Sequence, residues 1–304
     1  MNNYDDLFNN SEKKTNESKT NENNKSRPFD KNEWIEKKKL EREEAYHLLD
    51  TATEEITQDA EKFRDFLNTQ AQFDRYSVSN ALLIAYQHPN ATRVADFSTW
   101  KENDVSINKG EKAITMLEPG NEFTREDGTT GFSVNVKKVF DISQTSISAA
   151  DTRRKIPDER TAIKALIASS PCKIVLVDEL KTANARYSPE KDTIFIVRQL
   201  EANEIFRSLA FEFGIAKCYQ NGIERKDAMF PAYCSAYILC ERNGFETGDF
   251  NFEKVPEQFK DKESKDIRKE LGAVRDMANE ISQDISREIE AIEKGNRSKD
   301  NGAR

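Results

Sequence analysis

Histidine is almost absent from this chain: His47 and His88 are the only two in 304 residues. A metal centre or proton relay built from several imidazoles is therefore excluded. Cysteine is scarce too. Cys172, Cys218, Cys234 and Cys240 form no C-x-x-C pair, and their spacing matches no standard zinc arrangement. No apolar run approaches a membrane-spanning length, which excludes a transmembrane helix. The start, Met1-Asn-Asn-Tyr-Asp-Asp, lacks a basic region followed by an apolar stretch, so no secretory signal is read there. The expectation is a cytoplasmic protein with reduced, mostly buried thiols. An excess of positive charge is also missing. The net charge of −8 and pI near 5.2 exclude a globally basic nucleic-acid binder and leave room only for a local basic patch.

What is present is enough for two modest domains, each with a core. The hydrophobic share is 36% and the charged share 34%, which predicts some solvated tail or exposed helix. Residues 1–31, rich in Asn, Ser, Lys and Glu, read as a disordered tail. Helical periodicity follows from Glu33 to Gln72, read as two helices that break near Asp50 or Thr51. A short helix over 76–87 has Ser77 as N-cap and stops at His88-Pro89. Another holds Phe97 and Trp100. Ala113–Leu117 and Phe132–Phe140 read as strands joined by a hairpin turn at Glu126-Asp127-Gly128. Residues 146–158 read as a linker. Beyond it come a helix over 159–169, strands at 173–177 and 192–197, a helix containing Glu212, and a helix from Pro231 to Arg242. Last comes a long amphipathic helix with a Leu271, Val274, Ala278, Ile281, Ile285 and Ile289 seam, ahead of a polar tail over 295–304.

The segment Leu209-Ala-Phe-Glu-Phe-Gly-Ile-Ala-Lys217 has the form of His-Glu-x-x-His with both histidines replaced. That pattern sends two imidazoles from one helix face to zinc and uses the glutamate to activate the bound water. Phe211 and Ile215 offer no lone pairs. The segment reads either as an ordinary core helix or as a decayed metal site; both predict no catalytic zinc and leave Glu212 vestigial, either exposed or paired with a cation. A replacement site of Cys218, Cys234 and Cys240 is the less favoured option, buried thiols the favoured one.

Single-strand binding needs phosphate partners and flat rings. In the first half, Tyr76, Tyr86 and Trp100 are candidate platforms, and Arg75, Arg93, Lys101, Lys109 and Lys112 candidate phosphate partners. Asn80, together with Gln87, is a candidate for hydrogen bonds to base or sugar. Core aromatics, cap support and an ordinary Lys109-Gly110 turn are the competing readings of the same residues.

Several ordered segments carry a family resemblance: Phe73–Thr92, Trp100, Lys109-Gly-Glu-Lys112, Val139-Phe-Asp-Ile-Ser-Gln-Thr145, Tyr187–Ile196, the Glu212 helix and Ala236-Tyr-Ile-Leu-Cys240. Together they resemble the ArdC-type antirestriction proteins of conjugative plasmids and transposons. The resemblance implies an α+β chain of two domains. One is an N-terminal helix and sheet domain, 32–145, that binds single-stranded DNA. The other, 159–294, is a zincin-like domain with a small sheet and long helices. It places a third metal ligand, normally glutamate, at Tyr233, so the degenerate positions are Phe211, Ile215 and Tyr233. The expected function is a non-catalytic, single-stranded-DNA-binding accessory protein of a mobile element, without cofactor. The alternatives are a peptidase with non-standard ligands, or a protein-interaction module docking a partner through the C-terminal helix. Oligomeric state is left open.

Overall fold

The computed structural model describes residues 30–125, 127–147 and 156–302. Most of the expected N-terminal tail, the centre of the expected linker and Glu126 of the expected hairpin turn lie outside these residues. The chain divides into a unit up to Lys39 and a compact unit of residues 40–304. In the first unit, residues 31–39 are helical, and Trp34 and Ile35 are exposed.

Helix α1 (Lys31–Thr57) runs past the expected break, because Leu49, Ala52, Thr53 and Ile56 keep facing the interior. The break falls at Gln58-Asp59 instead. Asp59 caps α2 (Ala60–Gln72) by accepting from the N–H groups of Glu61 and Lys62, both at 2.9 Å. Ser77 caps α3 (Val78–Gln87), accepting from Asn80 N–H. Helix α3 is buried on nearly every side.

The first sheet is antiparallel throughout, in the order β1 (Val94–Asp96), β3 (Thr130–Asp141), β2 (Ile114–Thr124), with α4 (Phe97–Glu102) following β1. Ile114 pairs with Val139 and Thr124 with Thr130, and the register shifts once between Pro119 and Glu122. Ile114, Met116 and Val139 of one sheet face pack on Ile84 of α3. On the other side Trp100, Val105 and Ile142 form a small cluster with Ala95 and Phe140.

The second half begins with α5 (Glu159–Ala168), capped by Asp158. Its sheet has the order β4 (Lys173–Val177), β6 (Thr193–Val197), β5 (Ala185–Ser188), parallel between β4 and β6 and antiparallel between β6 and β5. Then come α6 (Ala202–Gln220), α7 (Arg225–Asn243), the short α8 (Val255–Gln258) and α9 (Ser264–Gly302). Helices α6 and α7 approach closely at Gly214. A Cβ there would stand 3.0 Å from the Ala232 Cα and 2.9 Å from its Cβ, so only glycine permits the approach.

Mixed helix and sheet is as the sequence implied. The stretch between the halves separates the two sheets but not the core. Phe63, Phe66, Leu67 and Leu82 belong to the same buried cluster as Phe206, Tyr237, Phe252, Phe259 and Leu271. Of the two readings of the C-terminal seam, core contact and docking face, the first is the one observed. Leu271, Val274, Ala278, Ile281 and Ile285 are buried in this cluster, with Ile289 packed against it, so the α9 seam is a core contact and not a free docking face. No helix among the described residues is long and apolar enough to cross a membrane.

Candidate functional site

Glu212 lies in the middle of α6, 1% exposed. A lone carboxylate at such depth carries a heavy desolvation cost, so it must be paired and hydrogen-bonded. Both conditions are met. The Arg225 guanidinium grips it with two bonds, Nη1 to Oε2 at 2.9 Å and Nη2 to Oε1 at 2.5 Å. The backbone N–H of Tyr187, on strand β5, donates to Oε2 at 2.8 Å. Glu212 is thus the paired member of the two expectations, and the exposed alternative falls away. Its cation is a planar, bidentate guanidinium from the first turn of α7.

Of the three degenerate positions, Phe211 touches this pair. Phe211 carries the Arg225 guanidinium over its ring at 5.7 Å and meets Tyr233 edge-on at 6.5 Å. Ile215 is fully buried. The Tyr233 hydroxyl accepts from Asn251 N–H at 2.8 Å, and its ring packs on Phe250 at 4.9 Å and Phe252 at 5.7 Å. A metal would need several convergent N, O or S donors. Here the candidate positions present two hydrocarbon side chains and a phenol in a side-chain to backbone bond, while the carboxylate is held by an arginine. Among the described residues no group of three or more His, Cys, Asp or Glu side chains could hold a metal ion. The residues present do not fit one. Cys218, Cys234 and Cys240 are buried, and burial pushes their thiols up, Cys240 to about 12, so they are core thiols and poor thiolates.

Arg225 was missed in the sequence. Starting the helix at Pro231 left residues 225–230 outside it, whereas α7 begins at Arg225 and accommodates Pro231 within. Nothing local marks Arg225 as a partner for Glu212, because the contact depends on the turn between two antiparallel helices.

In the first half the candidates separate. Trp100 is 2% exposed, its indole Nε1 donates to Phe140 O at 3.0 Å, and Arg93 stacks over it at 5.5 Å. It is a core ring and cannot stack a base. Asn80 is also committed. Its Nδ2 donates to Leu117 O at 2.8 Å, and its Oδ1 accepts from Leu117 N–H at 2.9 Å. Gln87 does the same with Thr115, at 3.0 and 2.9 Å. Two amides, two helical turns apart on α3, thereby satisfy the outer edge of strand β2, which has no neighbouring strand there among the described residues. Both amides are thus engaged by the fold, in place of the expected role toward a base or sugar. Tyr86 is half-buried, its hydroxyl donating to Glu55 at 2.9 Å. Tyr76 is half-buried and stacked on Phe73 at 5.5 Å.

The basic candidates Arg75, Arg93, Lys101, Lys109 and Lys112 are all exposed. Arg75 and Tyr76 line a cleft of about 620 Å³ together with Asp96, Thr99, Glu118 and Lys137. Lys112 lines a different cleft, of about 480 Å³, with Gln87, His88 and Gly110. Gly110 has φ +92°, so the Lys109-Gly110 turn needs glycine for its own backbone.

The motif Val139–Thr145 also has a structural explanation. The Asp141 carboxylate is fully buried and accepts from the N–H groups of Thr92 at 2.8 Å and of Arg93 and Ser143 at 2.9 Å. Gln144 returns a bond to Asp141 N–H at 2.8 Å, completing a capping box that ties β3 to the start of β1. Burial pushes the Asp141 carboxyl up, but these donors outweigh it and hold it below the ordinary value.

Residues 42–163 match the family described as the N-terminal domain of anti-restriction factor ArdC. A curated relative, an uncharacterized protein of Bacillus anthracis, is 25% identical over 315 residues covering 83% of this chain. The chain spans about half, 53%, of that relative's length. Two solved structures of the antirestriction ArdC protein from the R388 plasmid are similar in fold. The metal-free one has TM-score 0.53 and 17% identity, covering 70% of this chain and 86% of its own. The Mn(II)-bound one has TM-score 0.50 and 17% identity, covering 70% and 89%. At that identity the likeness speaks of fold alone.

Proposed function

We propose, for a chain that belongs to the ArdC-like antirestriction family through residues 42–163, a non-catalytic accessory role: binding single-stranded DNA of a mobile element in the cytoplasm. In this reading the second half is a scaffold derived from a peptidase and performs no hydrolysis. The observation that carries the non-catalytic part is the occupation of Glu212. A general base must reach a water, and this carboxylate instead accepts three bonds from Arg225 and Tyr187 in a nearly water-free position. No lone-pair donor stands at Phe211 or Ile215 to bind a metal that would acidify such a water. The DNA part is supported by the family match and by exposed cations in an otherwise acidic chain. Shielding of incoming DNA from restriction is the biological role that the family implies.

The test is a labelled single-stranded oligonucleotide titrated across a salt series. Binding is expected at low salt and should weaken steadily as salt rises, with a log–log slope of about −0.7 per phosphate neutralised. Absence of retention even at low salt overturns the DNA-binding part. Stoichiometric metal, lost together with a proteolytic activity in Glu212→Gln, overturns the non-catalytic part.

A further inference from the structure

A cleft of about 1300 Å³ runs along α9, bounded on its other side by the turn between α2 and α3 and by the end of α7. Four arginines line it: Arg75, Arg242, Arg275 and Arg287. Arg75 and Arg275 also line the 620 Å³ cleft beside Tyr76 and Lys137, so the two clefts meet at this pair of guanidiniums. The resulting groove joins the edge of the first sheet to the face of the last helix. Neutral polar side chains, among them Asn279 and Ser282, fill the spaces between the cations.

The four arginines are held differently. Arg242 is 4% exposed and fixed by the carbonyls of Gln70 and Ala71 and by Ser282 Oγ, which places an immobile positive charge at the floor. Arg75 is exposed and has no hydrogen-bond or ion-pair partner among the described residues. Arg275 pairs with its neighbour Asp276, which is 66% exposed, and Arg287 pairs with Asp284 one turn away. In each pair one partner is well exposed and the other about a quarter exposed, and such part-exposed pairs contribute little. The carboxylates on the α9 cleft are Asp74, Glu290 and Glu293, and the last two stand toward the C-terminal end of α9. In the adjoining cleft Asp96 and Glu118 are neutralised in part by Lys137 at 3.0 and 3.4 Å. The junction at Arg75 and Arg275 thus lies away from Glu290 and Glu293.

We infer that this groove is the track for the sugar-phosphate backbone of single-stranded DNA, with Arg75 and Arg275 as phosphate contacts at the junction and Arg287 as a further contact along α9. The assignment rests on the DNA-binding reading above; of the sequence-derived contacts it keeps Arg75 and Tyr76 and adds Arg275 and Arg287. Arg275 and Arg287 lie about 18 Å apart along the helix, at about 1.5 Å rise per residue, which suits an extended strand rather than a single anion. Guanidinium forks match phosphate geometry, and the half-buried ring of Tyr76 borders the track where a base can lie against it.

The experiment uses the full-length chain and a fluorescent oligothymidylate of about 20 nucleotides, longer than the site sizes of about 4–16 nucleotides typical of single-strand-binding folds. Binding is measured across a salt series for wild type, Arg75→Ala, Arg275→Ala, the double variant, and, as control, two exposed lysines of the second half, Lys173→Ala/Lys181→Ala. Each arginine variant should lower affinity about ten-fold and reduce the salt slope by about one phosphate equivalent, uniformly across base sequences. The double variant should lose about two, and the lysine variant should match wild type. Thermal melts of the arginine variants should match wild type, because neither side chain supports the core. Wild-type binding that persists unchanged in the arginine double variant overturns the track and leaves the DNA-binding reading intact. Loss confined to the lysine variant does so as well. Wild-type protein that fails to bind overturns both.

Discussion

Replacing Arg225 by Met tests whether the cation at Glu212 is structural. Methionine keeps most of the stem that packs on Phe211 but removes the guanidinium, so the buried carboxylate is left with the Tyr187 N–H alone. Removing one partner of a buried pair costs about 3–5 kcal/mol, because the survivor stays desolvated and uncompensated. The Glu212 side chain is 2% exposed and that of Arg225 16%. The loss should therefore approach the top of that range for Arg225→Met. It should be smaller for Glu212→Leu, where water can reach the orphaned guanidinium. Removing both, in Glu212→Leu/Arg225→Met, should recover most of the stability, since an apolar pair of similar volume is often as stable as a buried ion pair.

The assay is urea unfolding followed by circular dichroism, read as a double-mutant cycle. The coupling between the two positions should exceed about 1 kcal/mol, in the range seen for contacting partners of one network. In a thermal melt, a 3–5 kcal/mol loss corresponds to roughly 6–20 °C for a domain of this size, taking about 2–4 °C per kcal/mol. Additive single variants, or an Arg225→Met melt within about 2 °C of wild type, would show that the guanidinium is not what makes the buried glutamate tolerable.

Two further outcomes follow from the first sheet. Asn80→Ala or Gln87→Ala should each cost about 1–3 kcal/mol by orphaning an N–H and a carbonyl on β2. Hydrogen exchange should quicken at Leu117 in the first variant and at Thr115 in the second; unchanged protection at both would refute the edge-cover role. Asp141, whose folded carboxyl titrates below its ordinary value of 3.8, stabilises the fold at neutral pH, and that contribution is lost as pH falls through its lowered value. Asp141→Asn should therefore weaken the protein near neutrality and flatten its acid-induced loss of stability below about pH 4; an acid profile parallel to wild type would refute this.

Much of the fold was legible because the signals were local. The Ser77 cap, the stop at His88, the alternation over 132–140 and the seam of α9 each need only a few consecutive residues to be read. Strands β1 and β5, three and four residues long, offered too little alternation to register. The break between α1 and α2 was misplaced because Asp50 and Thr51 are as cap-like in sequence as Asp59; only the burial of Ala52 and Ile56 carries the helix onward. The site divides along the same line. That Phe211 and Ile215 offer no ligands is visible in the one-dimensional pattern. That Arg225 holds Glu212 is not, because it depends on how α6 and α7 are brought together at Gly214 and Ala232. Trp100, Asn80 and Gln87 have the chemistry of a nucleic-acid surface, and only their partners, Phe140, Leu117 and Thr115, show it to be spent inside the fold.

The shared core gives a physical reason for the second half to persist whatever its chemistry. Phe63 of α2 packs on Phe230, Phe252 and Phe259, at centroid distances of 6.1, 5.5 and 6.2 Å. Polar ties run in parallel: Arg64 Nη2 to Phe250 O at 2.9 Å, Tyr237 hydroxyl to Asn68 Oδ1 at 2.7 Å, and Arg242 to the carbonyls of Gln70 and Ala71. Cutting the chain after residue 147 would strand Phe63, Phe66 and Leu67 in water and leave two backbone carbonyls of α2 without donors. Each fully buried side chain of this size is stabilised by about 1.5–3 kcal/mol, so losing three or four removes most of the 5–15 kcal/mol that holds a domain folded. A fragment of residues 40–147 should thus show helix by circular dichroism but no cooperative melt, and should bind hydrophobic dye. The full chain should unfold in one transition, including at α7 and at the first sheet. A sharp, reversible melt of the fragment would mean that the first half carries a sufficient core of its own, and that the second half is retained for something other than support.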